Sequence, residues 1–196
     1  MKKVLFLGLG YIGLPTAAVA ANHGFEVIGV DVNPVVVETI NQGKIHIVEP
    51  DLDQMVKEAV QKGNLRAVLK PEQADAFFVV VPTPFKQNHR ADITYVESAT
   101  RSVIPFLKEG DLFVIESTSP VLTTERMAEV IFKERPELKG KIYIAYCPER
   151  VLPGNTLYEL VHNDRVIGGI NPESTEKAIE FYSAFVQGKL HRTNAR

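Results

Sequence analysis

The sequence lacks the features that mark several classes of protein. It contains one cysteine, Cys147, in 196 residues, which excludes an internal disulfide and any metal site built from a cysteine cluster. Its formal net charge is -2, with both signs scattered along the chain. The basic surface that nucleic acids or anionic membranes require is therefore missing. We expect no resident metal, no nucleic-acid partner and no membrane partner.

Long apolar runs are also missing. No run approaches the ~18 residues that a membrane-spanning helix needs, and the N-terminus begins with a strand-like run instead of a signal peptide. The hydrophobic content of 45% is nevertheless ample for a core. We therefore expect a cytoplasmic globular protein.

The first apolar run, 4–7, is followed by three spaced glycines, Gly8, Gly10 and Gly13. A helical stretch comes next, and a second apolar run ends in Asp31. This order is the dinucleotide-binding fingerprint, which consists of a strand, a Gly-x-Gly-x-x-Gly turn, a helix and an acid about 20 residues further on. The alternative is a glycine-rich structural turn, which strand–helix junctions often contain.

Each residue of this pattern has a physical role. Gly8 suits a tight turn, Gly10 leaves the backbone open to a pyrophosphate, and Gly13 lets the helix pack closely on the strand. The helix N-terminus points free N–H groups and a positive dipole end at the same place. Asp31 can accept the adenosine ribose hydroxyls and would repel a 2′-phosphate, which predicts NAD over NADP.

The rest of the chain alternates apolar strand-like runs with helical patterns, which is typical of parallel sheets covered on both faces. We predict an α/β, Rossmann-type, doubly wound and mostly parallel sheet with helices on both faces. The predicted strands are 4–7, 27–30, 65–69, 76–81, 111–115, 142–146, 164–169 and a short 190–192. The first two predicted helices span 11–23 and 34–43, the second with Asn33 as its N-cap, and a third is capped by Asp51 or Asp53 and runs to about 60. Further helices are predicted at 94–108, from Thr123 or Thr124, and at 172–186 with Asn171 as a candidate cap.

Hydroxyl-bearing residues follow two of these strands at the edge where open α/β sheets bind ligands. Thr83 lies between Pro82 and Pro84, and we interpret it as a contact to the cofactor, an ordinary turn being the alternative. Thr118 and Thr124 either meet the nicotinamide or cap a helix N-terminus.

The sixth predicted strand leads into the segment 147–154, which places a thiol, a carboxylate and a guanidinium at the same edge. Cys147 is either a nucleophile or inert packing, and packing is favoured because no histidine lies nearby in sequence to activate it. Glu149 and Arg150 are better candidates for a site, since a guanidinium suits an anionic substrate such as a nucleotide diphosphate.

Taken together, these motifs resemble the N-terminal domain of the UDP-sugar 6-dehydrogenases, in the UDP-glucose/GDP-mannose dehydrogenase family. The resemblance covers essentially the whole chain. It is carried by the glycine turn with Asp31 and by the motifs at 48–52, 81–84, 116–120 and 147–154, which occur in the family's order.

This resemblance implies a double oxidation, in which the C6 alcohol of a UDP-N-acetylhexosamine becomes a carboxylate, two NAD are reduced and a cysteine thiol holds the aldehyde stage. It implies NAD contacts from Tyr11, Ile12, Asp31, Thr83 and a threonine in 118–124. It also implies that Glu149, Arg150 and Val151 line the substrate. Arg150 and Pro153 replace an aromatic residue and a glutamate of the glucose-specific branch, which favours the N-acetylmannosamine or N-acetylglucosamine branch.

Family members are about twice this long. Residues 1–196 therefore correspond to the NAD-binding domain, ending before the central helix and the C-terminal UDP-binding domain. The catalytic lysine, asparagine and cysteine of the family match no residue here, so we assign no catalytic residue and expect this chain alone to be inactive. For the full-length enzyme, the resemblance implies a homodimer. The alternatives are a non-catalytic NAD-binding module and, ranked last, a β-hydroxyacid dehydrogenase.

Overall fold

The computed structural model describes residues 1–86 and 90–196. Strands and helices alternate along the chain, as the sequence predicts. The strands are β1 Lys3–Leu7, β2 Glu26–Val30, β3 Leu65–Val68, β4 Ala76–Val79, β5 Leu112–Ile115, β6 Tyr143–Tyr146, β7 Arg165–Gly169 and β8 Leu190–Asn194. The helices are α1 Gly13–Asn22, α2 Pro34–Asn41, α3 Leu52–Gln61, α4 Thr94–Val103, α5 Thr123–Glu134, α6 Thr156–His162 and α7 Pro172–Tyr182, with 3-10 turns at Ile104–Phe106 and Pro136–Leu138.

All eight strands form one sheet in the order β3-β2-β1-β4-β5-β6-β7-β8. The first six strands of this order pair in parallel, β7 runs antiparallel to β6, and β8 runs parallel to β7. The order in which strands are added to the sheet reverses between β1 and β4, because β2 and β3 lie on one side of β1 and β4 to β6 on the other. The predicted Rossmann-type fold is confirmed, and this reversal is where such sheets bind ligands.

The core has one apolar layer on each face of the sheet. Alternate residues of β1 enter opposite layers, Val4 and Phe6 on one face and Leu5 and Leu7 on the other. The α1, α3 and α7 helices cover the first face, while α4 and α5 cover the second. Strands buried on both faces explain why the sequence runs are continuously apolar instead of alternating.

Several helix ends differ from the sequence prediction. The fourth helix stops at Val103 instead of continuing to 108, because Pro105 has no N–H to extend the ladder and the chain tightens into a 3-10 turn. The α6 helix has no counterpart in the prediction. Asp51 precedes α3 with a positive φ of 62° but makes no capping hydrogen bond, and Asp53 already lies within the first turn, so the predicted cap by Asp51 or Asp53 is wrong.

Two other predicted caps are confirmed. Asn33 accepts a hydrogen bond from the Val35 N–H at the start of α2, and Asn171 accepts one from the Ser174 N–H at the start of α7. Both close the first turn of a helix that packs on the sheet. In the described part of the chain, no helix combines the length and the apolar character needed to cross a bilayer.

Candidate functional site

The turn between β1 and α1 is built so that two of its glycines have no substitute. Gly8 has a φ of +96°, and a Cβ there would lie 2.4 Å from the Val80 carbonyl oxygen. A Cβ on Gly13 would lie 1.9 Å from the Gly8 oxygen. At Gly10, by contrast, a Cβ would meet nothing within 4 Å. The Gly10 backbone therefore faces open space into which a ligand can approach.

Backbone donors line this open space. Within residues 1–86 and 90–196, no backbone acceptor pairs with the N–H groups of Gly10, Tyr11 and Ile12. The α1 helix starts directly after them at Gly13, without a side-chain cap at Ile12. Free N–H groups at the positive end of a helix form an anion site. The turn thus fits the pyrophosphate of a dinucleotide.

Asp31 follows β2 and is tied to the glycine turn. Its Oδ2 accepts a hydrogen bond from the Leu9 N–H at 3.1 Å, and its Oδ1 accepts one from the Asn33 N–H at 2.9 Å. Each carboxylate oxygen can accept a further hydrogen bond. Asp31 is therefore held beside the turn with capacity left for ribose hydroxyls, and its predicted cofactor contact stays a prediction.

The loops after β4 and β5 meet at the same edge. The Thr83 hydroxyl donates to the Thr118 carbonyl at 2.8 Å, and the Ser117 hydroxyl donates to the Val81 carbonyl at 2.7 Å. From the other side, the Ser119 N–H donates to the Tyr146 hydroxyl oxygen at 3.0 Å. Two of the predicted NAD contacts, Thr83 and Thr118, thus lie together beside the β1–β4 reversal.

Thr118 and Thr124 have different surroundings. The α5 helix begins after Leu122, which has a positive φ of 71°, and no side chain caps it. Neither threonine therefore plays the capping role that the sequence left open. Thr118 is exposed, whereas Thr124, in the first turn of α5, is only 2% exposed. Of the two, Thr118 is the one that is open to a ligand.

The segment 147–155 connects β6 to α6, and we call it the β6–α6 loop. Cys147 at its start is fully buried, and burial raises the pKa of its thiol to about 12. Its Sγ lies 3.9 Å from the Arg165 guanidinium. A buried and protonated thiol is a poor nucleophile, so the structure favours the packing interpretation of Cys147.

The three predicted substrate residues in this loop differ in exposure. Arg150 is exposed, and its Nη2 donates to the Asp164 carbonyl at 3.2 Å. Val151 is buried. Glu149 forms an ion pair with Arg165 at 2.6 Å, and the two side chains are only 8% and 5% exposed. Arg150 is therefore the most accessible of the three to a substrate from solvent.

Behind the loop lies a buried polar cluster that the sequence did not reveal, consisting of Glu116, Cys147, Glu149, Arg165 and Tyr182. The Tyr182 hydroxyl donates to Glu116 Oε1 at 2.6 Å, and the Arg165 guanidinium lies 5.0 Å from the centre of the Tyr182 ring. Burial raises the pKa of Glu116 to about 7. The sequence placed Cys147 and Glu149 in one loop, but it did not indicate that Glu116, Arg165 and Tyr182 join them, because these three residues lie after β5, in β7 and in α7.

Comparison with known proteins agrees with this geometry. The profile of the UDP-glucose/GDP-mannose dehydrogenase family, NAD binding domain, matches residues 2–186. The chain is 55% identical to a UDP-N-acetyl-D-mannosamine dehydrogenase of Yersinia pestis, aligning over 100% of this chain and 48% of that protein. It is 52% identical to an NDP-N-acetyl-D-galactosaminuronic acid dehydrogenase of Ralstonia nicotianae, again over 100% and 48%.

A solved structure shows the same fold. The UDP-N-acetyl-mannosamine dehydrogenase of Staphylococcus aureus superposes with a TM-score of 0.96 at 40% identity, covering 100% of this chain and 48% of that one. The chain thus spans about half the length of the relatives it matches. It belongs to the UDP-glucose/GDP-mannose dehydrogenase family, as that family's NAD-binding domain.

Proposed function

We propose that this chain is the NAD-binding part of a UDP-N-acetyl-D-mannosamine 6-dehydrogenase. The complete reaction converts the C6 alcohol of the UDP-sugar to a carboxylate, consuming one water and reducing two NAD. Relatives with this name, from Yersinia pestis and Escherichia coli, are 55% and 54% identical over nearly the whole chain. The product would serve polysaccharide synthesis, for example of enterobacterial common antigen.

The observation that carries the cofactor assignment is the open backbone at Gly10 beside the tethered carboxylate of Asp31. The turn residues that would receive the pyrophosphate are Gly8, Gly10, Tyr11, Ile12 and Gly13. Asp31 would accept the adenosine ribose hydroxyls, and Thr83 and Thr118 would meet the nicotinamide half, whereas the burial of Thr124 argues against the contact that the sequence suggested for it. NAD, when bound, supplies the acceptor for the hydride that leaves C6.

We place the substrate against Glu149, Arg150 and Val151. The Arg150 guanidinium is exposed at the same sheet edge and is suited to an anionic nucleotide sugar. In this proposal, residues 1–196 end before a central helix and a UDP-binding domain that carry the catalytic residues. The complete enzyme would be a homodimer, and it would work in the cytoplasm, where NAD and UDP-sugars are found.

A second candidate differs in the sugar. The Ralstonia relative, named for N-acetyl-D-galactosaminuronic acid, is 52% identical, almost as similar as the first. UDP-N-acetylglucosamine is a further candidate substrate. A non-catalytic NAD-binding module is the alternative from a different class.

A binding and turnover experiment tests the proposal. Purified chain should bind NADH with micromolar affinity, yet release no NADH when given NAD and UDP-N-acetyl-D-mannosamine. The complete enzyme should reduce two NAD per sugar and prefer UDP-N-acetyl-D-mannosamine to the glucosamine and galactosamine isomers. Turnover by residues 1–196 alone would show that the catalytic residues lie within this chain. A complete protein that binds NADH but oxidises none of the sugars would favour the non-catalytic module.

A further inference from the structure

Glu49 makes a long-range contact that the proposed function leaves unexplained. It lies in the connection between α2 and α3, yet its Oε2 accepts a hydrogen bond from the Gly154 N–H at 2.8 Å and its Oε1 accepts one from the Thr156 N–H at 2.6 Å. The partners are 105 and 107 residues away in sequence. Glu49 is only 5% exposed, so these bonds are shielded from water.

The charged state of Glu49 suits this contact. Burial acts to raise the pKa of its carboxyl, but the hydrogen bonds from Gly154 and Thr156 outweigh that effect and leave the pKa below its usual value. The side chain is therefore a carboxylate at neutral pH. Charge-assisted hydrogen bonds to backbone N–H groups are stronger than neutral ones. Glu49 is thus a firm anchor for the backbone that it contacts.

The anchored backbone is the far end of the β6–α6 loop. Gly154 has a φ of +93°, and Asn155 precedes α6 without a capping side-chain bond. Glu49 supplies from a distance an acceptor for the first N–H of α6, one of those that a helix leaves without a partner of its own. At the near end of the loop, the Glu149 N–H donates to the Glu116 carbonyl at 3.1 Å. Glu149 is thus fixed at the near end of the loop, and Arg150 and Val151 lie between it and the backbone that Glu49 holds at the far end.

We propose that Glu49 is a positioning residue for the sugar substrate. Its carboxylate holds the β6–α6 loop in place, so that Arg150 and its neighbours present a fixed surface to the nucleotide sugar. Among the residues that the structure describes, the hydrogen bonds of the Glu49 side chain go to Gly154 and Thr156 and not to the glycine turn. Its loss therefore weakens substrate binding and leaves NAD binding intact. This inference rests on the proposed function, because it takes Glu149, Arg150 and Val151 to be the substrate residues.

The test compares Glu49→Gln with Glu58→Gln, a control on α3 whose carboxylate is exposed and 3.7 Å from Lys62. In Glu49→Gln, the new side chain offers one acceptor oxygen where the carboxylate offers two. In the purified chain, we expect the amide protons of Gly154 and Thr156 to exchange about tenfold faster in Glu49→Gln. NADH affinity should stay within about twofold. The control should change neither quantity.

In the complete enzyme, Glu49→Gln should raise the KM for the UDP-sugar by about tenfold while the KM for NAD stays unchanged. Glu49→Asp, which keeps the charge on a shorter side chain, should restore part of the loss and serves as the test variant if Glu49→Gln does not fold. Unchanged exchange at Gly154 and Thr156, an unchanged sugar KM, or an equal loss of NAD affinity would overturn the inference. A wild-type enzyme that oxidises no UDP-sugar would instead refute the proposed function, and with it the role given to Glu49.

Discussion

Replacing Gly10 by alanine separates cofactor binding from folding. Gly10 does not have a positive φ, and the added Cβ meets no protein atom within 4 Å. A change that meets no neighbour shifts stability by no more than about 0.5 kcal/mol. The Gly10→Ala chain should therefore fold and melt like the wild type.

NAD affinity should respond very differently. The new methyl group occupies the space through which a pyrophosphate reaches the free N–H groups of the turn. A hydrogen bond to a charged group contributes about 1.5–3 kcal/mol. Losing one such bond weakens binding by about 10- to 150-fold. Titration of NADH into both chains, followed by its fluorescence, measures this ratio directly, and a thermal melt of the same samples reports folding.

Gly13→Ala provides the contrasting control. Its Cβ would lie 1.9 Å from the Gly8 oxygen, so we expect this variant to lose stability as well as affinity. A folded Gly10→Ala chain that binds NADH as tightly as the wild type would show that the pyrophosphate does not approach the turn at Gly10. Unfolding of Gly10→Ala would show that the turn is not open there.

Three further predictions concern the buried polar cluster. Cys147 should resist alkylation by iodoacetamide in the folded chain and react after unfolding, because its thiol is buried with a pKa of about 12. Mass spectrometry measures the labelling, and rapid labelling of the folded chain would contradict the prediction. The pKa of Glu116 in the folded chain is about 7, above its ordinary value of 4.5. Between these two pH values the folded state binds more protons than the unfolded state, so the unfolding free energy should fall as pH rises. Urea melts at several pH values should show this fall in the wild type and a smaller one in Glu116→Gln. Arg165→Met should lower the unfolding free energy by about 3–5 kcal/mol, because it leaves the buried Glu149 carboxylate without its partner. A loss near zero in the same urea melts would show that the Glu149–Arg165 ion pair does not stabilise the fold.

The parts of the site that were predictable from sequence are local. The glycine turn and Asp31 lie within one strand–helix–strand unit. Its geometry follows from the φ angle at Gly8, from the close packing of α1 on β1 and from the parallel pairing of β1 with β2. The same holds for the Asn33 and Asn171 caps, which bond to N–H groups two and three residues away. Local rules were therefore enough to find the candidate pyrophosphate site.

The remaining features depend on contacts between distant segments. In the sequence, Glu49 is an ordinary loop residue before Pro50, and its role emerges only when the fold brings Gly154 and Thr156 beside it. The Glu149–Arg165 pair likewise requires the antiparallel pairing of β7 with β6. The α6 helix was missed for another reason, since seven residues after a proline and a glycine give too short a periodic pattern.

Selectivity between NADH and NADPH tests whether Asp31 accepts the adenosine ribose hydroxyls of the cofactor. We expect the wild-type chain to bind NADH with micromolar affinity and NADPH far more weakly, because the Asp31 carboxylate accepts ribose hydroxyls and repels a 2′-phosphate. Calorimetric titration of NADH and NADPH into the wild type and into Asp31→Ala measures both affinities. The substitution should weaken NADH binding and reduce the difference between the NADH and NADPH affinities. Equal binding of NADH and NADPH by the wild type, or an NADH affinity unchanged in Asp31→Ala, would show that Asp31 does not bind the adenosine ribose.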